Sequence, residues 1–66
     1  MTYAEWYQGV LARRRENPSE RAGQAAFNHL RETHPALADA LAGGPDDPFY
    51  NDGLLAQFLF TVSVSI

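Results

Sequence analysis

Three stops divide this chain, and each sits beside a residue suited to restarting a helix. They are Asn17-Pro18, Thr33-His34-Pro35 and the run Gly43-Gly44-Pro45. A residue before proline avoids the helical region, yet proline itself suits the first position of a new helix. The segments between the stops are too short for anything but brief elements joined by tight turns, and their apolar residues recur at helical spacing. Thr2-Tyr3-Ala4-Glu5 fits a capping box, and Tyr3, Trp6, Tyr7, Val10 and Leu11 then fall on one face. This predicts helix 1 over Tyr3–Glu16. Asn17-Pro18-Ser19-Glu20 reads as the start of helix 2, Pro18–Thr33, with Gly23, Ala26, Phe27 and Leu30 as its face and Ala22 and Ala25 broadening it. Gly23 in a helix interior costs roughly 1 kcal/mol relative to alanine, so a close approach or a binding contact is expected there. Helix 3 is predicted over Pro35–Ala42, closed by Gly43-Gly44.

The third stop opens into the only long non-periodic segment, Gly43–Gly53, which sets Phe49 and Tyr50 among Asp46, Asp47, Asp52 and two prolines. It reads as a loop, with Asn51 or Asp52 capping a helix 4 whose face is Leu55, Phe58, Leu59 and Val62. Thr61–Ile66 alternates apolar and polar residues in the manner of a strand. A lone strand would have nothing to pair with, so the tail is read as a frayed helix end. The result is an all-α single domain over residues 1–66: a small three- to four-helix bundle with an Asp/Pro/aromatic loop before the last helix. Helices 1, 2 and 4 form the bundle, while helix 3 and the loop close one end. The expected core is Trp6, Val10, Phe27, Leu30, Leu37, Leu41, Leu55, Phe58 and Leu59. Phe49 is expected to join them, with Tyr50 outside, because neighbours in an extended segment point opposite ways.

Size limits such a core. A domain below about 70–80 residues rarely gains more than ~3–5 kcal/mol from it without a staple. This 66-residue chain has no cysteine, so disulfides and thiolate metal sites are excluded. No basic segment leads into an apolar run at the N-terminus and no apolar run is long enough for a membrane span, so a cytoplasmic protein without a signal peptide is expected. Tyr3, Tyr7, Phe49, Tyr50 and Phe60 together exceed what so small a core encloses, which predicts self-association and an aromatic contact surface of Tyr50, Tyr3, Tyr7 and Phe60.

The chemistry-bearing residues form no catalytic constellation. His29 and His34 lie five apart with Pro35 interrupting, whereas a two-histidine metal pair wants i, i+4; His29 is read as a surface residue. Asp46, Asp47 and Asp52 fail the spacing of a calcium loop in either register. Ser19, Ser63 and Ser65 lie in no nucleophile elbow. An enzyme is therefore not expected, nor any cofactor or metal. Gln24 and Asn28 stand four apart beside the helix 2 face and are expected to hydrogen bond to the 43–53 loop. Arg13, Arg14 and Arg15 fan out about 100° apart around the end of helix 1, where cations suit the macrodipole. The alternative is an anion site in which they meet Arg21 across the Asn17-Pro18 turn. The net charge of −3 argues against a nucleic-acid surface, and helix 3 is too short and apolar for a recognition helix.

Arg21–Leu30, Pro35–Ala38, Gly43, Asp47–Asp52, Leu55 and Phe58-Leu59 together resemble short open reading frames of bacteria and their phages to which no activity is attached. The resemblance spans about residues 21–59 and carries over no catalytic residue. It implies a small stand-alone protein, phage- or mobile-element-borne, a setting that would suit a modulator or inhibitor of a host protein. The functional expectation is a non-enzymatic protein–protein interaction module that docks on another protein and self-associates. A homo-oligomer binding an anionic ligand such as a nucleotide through Arg13, Arg14, Arg15 and Arg21 is the alternative, and DNA binding a weaker one.

Overall fold

A computed structural model describes residues 1–66. Four α-helices follow in order: α1 (Tyr3–Glu16), α2 (Ala22–Thr33), α3 (Pro35–Leu41) and α4 (Leu55–Ser65), with a 3-10 turn at Asp52–Leu54 leading into α4. There is no strand. The radius of gyration is 10.6 Å, against about 11 Å for a compact chain of this length.

Helix α1 starts where its capping box places it. Thr2 Oγ1 accepts from the Glu5 N–H, and Glu5 reaches back to the Thr2 N–H. It ends at Asn17, whose side chain and backbone both donate to the Arg13 carbonyl. Helix α2 begins later than the sequence predicts, at Ala22 rather than Pro18. The local box at Asn17–Glu20 does not form, because Glu20 turns instead to the Arg13 guanidinium (3.0 Å) and the Asn28 amide (2.9 Å). Arg21 stands at the N-cap position with no side-chain cap of its own. The cap comes from 29 residues away: Asp52 Oδ1 accepts from the Gly23 N–H at 3.0 Å. Asp52 therefore caps α2 rather than α4. Asn51 caps the 3-10 turn, accepting from the Gly53 N–H at 2.9 Å.

After α3, Gly43 takes φ +73°, the left-handed conformation that closes a helix C-terminus, and the Gly44 N–H returns to the Leu41 carbonyl. At the other end of the chain the tail does not fray. Helix α4 runs to Ser65, burying Val62 completely, while the Ser63 and Ser65 hydroxyls donate back to the Phe60 and Thr61 carbonyls. Burial at helical period outweighs a strand-like pattern that has no partner strand.

Trp6, Val10, Phe27, Leu30 and Phe58 lie in the core as expected, joined by Val62, Ala25, Ala26 and Ala38. Leu37, Leu41, Leu55 and Leu59 are only partly buried and pack around it. The alanines belong inside because they bring helix backbones close, and α2 touches α1, α3 and α4. Trp6 is the centre. Its ring meets Phe58 and His29, and its indole N–H donates to Thr33 Oγ1 at 3.1 Å, so the polar edge of a fully buried side chain is satisfied.

Candidate functional site

The Gly43–Gly53 loop is tied down by its own acids. Asp47 accepts from the Gly43 N–H (2.7 Å) and from the Phe49 N–H (2.9 Å), tying the loop's start to its aromatic pair. Asp46 accepts from Gln57 and from the Thr61 hydroxyl (3.1 Å), tying it to α4. The Arg21 guanidinium donates to the Phe49 carbonyl. Pro48 is buried, and its carbonyl sits where a Cβ at Gly23 would be, so Gly23 is the close approach that the sequence suggests.

Phe49 packs edge-on against Phe27, with ring centroids 6.1 Å apart, and joins the margin of the core as a partly buried ring. Tyr50 stands beside it and is 86% exposed. The loop thus presents one aromatic ring to solvent on a backbone fixed from three sides. Phe60 and Val64 on α4 are the other large exposed apolar side chains beyond Met1. Tyr3 and Tyr7 do not belong with them. They stack on each other at 6.1 Å and pack against the core, and burial followed by the neighbouring Tyr7 raises the Tyr3 hydroxyl above its ordinary pKa. Their aromatic bodies cover the α1 face near Trp6, which explains how so small a domain takes in more rings than its strict core holds.

The four arginines do not converge. Arg13 forms ion pairs with Glu20 (3.0 Å) and Glu32 (2.6 Å), which raise its already high pKa and lower that of Glu20. Arg21 lies 3.8 Å from Asp52 besides holding the Phe49 carbonyl. Two of the four proposed anion contacts are thus engaged by the chain's own acids, while Arg14 and Arg15 are exposed and form no ion pair. The groove lined by Tyr7, Leu11, Arg14, Ala22, Leu55 and Leu59 encloses about 10 Å³, roughly one water.

His29 is not the surface residue the sequence suggests. Its ring lies over Gly9 and against Trp6, half-buried, and desolvation lowers its pKa below the ordinary 6.5. The glycine at position 9 was the available signal, since only a missing Cβ admits the ring. His34 Nδ1 lies 2.9 Å from Thr33 Oγ1, and no three His, Asp or Glu side chains gather as metal ligands would. The Asn28 amide donates to Glu20, and neither Asn28 nor Gln24 hydrogen bonds to the 43–53 loop as expected. No helix is long and apolar enough to cross a membrane. Comparison with family models, curated proteins and solved structures finds no match for this chain.

Proposed function

We propose that this chain is a non-enzymatic docking module that engages another protein through the Gly43–Gly53 loop, with Tyr50 as the contact residue. The observation that carries this reading is a tyrosine 86% exposed on a loop whose neighbouring residues are individually held. An exposed aromatic side chain on a fixed backbone suits an anchor, because tyrosine supplies much contact area and little ordering entropy is lost when a preformed loop binds. In a phage or mobile-element setting, which the resemblance alone implies, such a module suits a modulator or inhibitor of a host protein. The pairing of Arg13 and Arg21 with internal acids favours this reading over the anion-binding alternative.

The test is affinity capture from extracts of the organism that carries the chain, comparing wild type with Tyr50→Ala. The expected result is one protein retained by the wild type and lost from the variant, whose melting temperature is unchanged. Equal retention by both, or none by either, overturns the reading.

A further inference from the structure

Helix α4 carries no charged residue, and it exposes apolar side chains on the side turned away from the core. Large apolar side chains set close together on a helix surface are ordinarily covered by a partner. At about 100° per residue its surface divides into four sectors. Phe58 and Val62 face the core. Leu55 and Leu59 face α1, in the groove that Tyr7, Leu11 and Arg14 complete. Gln57 and Thr61 carry Asp46 on the opposite flank. Between these flanks lie Ala56, Phe60 and Val64, all exposed, the last two 69% each, with Ser63 at the edge toward Leu59, its hydroxyl returned to the Phe60 carbonyl. The outer stripe is therefore bordered on one edge by an arginine without an ion pair and on the other by a carboxylate whose hydrogen-bond donors are all neutral.

We propose that a second copy of this chain covers the α4 stripe, the two α4 helices lying parallel about a two-fold axis along their length. The flanking charges single out this occupant and this orientation. A two-fold axis parallel to the helices sets the Arg14 flank of one copy against the Asp46 flank of the other, twice, at similar heights, since Arg14 borders Leu55 and Leu59 while Asp46 borders Gln57 and Thr61. An antiparallel arrangement sets arginine against arginine and aspartate against aspartate. The apolar stripe supplies the contact and the flanks supply the direction, as charges beside a helical seam do in paired helices. This surface is separate from Tyr50, so the dimer neither requires the partner reading above nor falls with it.

Sedimentation equilibrium establishes whether the chain pairs, and cysteine cross-linking establishes how. The chain has no cysteine, so single replacements report cleanly. Parallel pairing predicts that Ala56→Cys cross-links to its own counterpart and that Val64→Cys does the same. Antiparallel pairing predicts instead that only a mixture of the two variants cross-links, between positions 56 and 64. Arg14→Ala is expected to weaken association roughly three- to tenfold, as loss of two exposed ion pairs implies, and added salt to weaken the wild type in the same direction. Phe60→Glu, at an exposed position, is expected to give a folded monomer. A wild type that stays monomeric at high micromolar concentration, cross-linking in the mixed pattern alone, or an Arg14→Ala variant that associates as well as or better than wild type overturns the proposal.

Discussion

Two glycines in this chain look alike in sequence and differ in what surrounds them. A Cβ at Gly23 would land on the backbone carbonyl of Pro48 and lie 2.8 Å from Asp52 Oδ1, the carboxylate that caps the helix. A Cβ at Gly9 would meet the His29 ring, whose Cε1 is 2.6 Å away but which is the end of a rotatable side chain. Backbone cannot swing aside and a ring can. Gly23→Ala is therefore expected to destabilise the fold by about 1–3 kcal/mol through overpacking, more than the roughly 1 kcal/mol that alanine returns as helix propensity. Gly9→Ala is expected to lie closer to neutral. Urea denaturation of the two variants checks this, with a reversed order counting against the packing described here. A glycine inside a helical period announces a close approach. It does not say to what, because Pro48 and Asp52 are more than twenty residues away in sequence.

Helix starts show the same division at the scale of elements. The start of α1 is legible to the residue, since Thr2 and Glu5 satisfy each other's backbone. The start of α2 is not legible, since its cap crosses the molecule and the residues that mimic a local box serve Arg13 and Asn28 instead. The Gly43–Gly53 loop was legible in outline: one ring in, one out. The inward ring is less buried than a core position, so Phe49→Ala is expected to cost about 1–3 kcal/mol, below the range for a fully buried phenylalanine. Tyr50→Ala is expected to leave the melting temperature nearly unchanged. Paired thermal melts decide between this and the opposite assignment of faces. The outer stripe of α4 is masked in the sequence by an alternation of strand period: a strand sets Phe60, Val62 and Val64 on one face, and only the helix turns Val62 inward and leaves Phe60 and Val64 outside.

For the molecule as a whole, acid acts in two steps with the same sign. Burial lowers the His29 pKa below 6.5, even though Glu32 opposes it while Arg13 and His34 assist, so the folded state favours the neutral ring. The stability this represents is complete above pH 6.5 and is lost as pH falls through the lower, folded value. Glu20, lowered from 4.5 chiefly by its hydrogen bonds from Arg13, contributes stability that is complete above pH 4.5 and lost as its folded value is passed. Unfolding free energy is expected to fall modestly as pH drops below 6.5 and again as it drops below 4.5, and His29→Gln is expected to flatten the first decline alone. The cap that Asp52 lends to α2 also bears on the order in which the chain comes together. Residues 22–33 find α1 and α3 through short loops, while the first turn of α2 has no acceptor until a segment 29 residues downstream arrives. That turn is therefore expected to be among the last native features to form. Asp52→Ala should leave the refolding rate almost untouched and appear as faster unfolding, a φ-value near zero for a residue that closes the structure after its helices have already met.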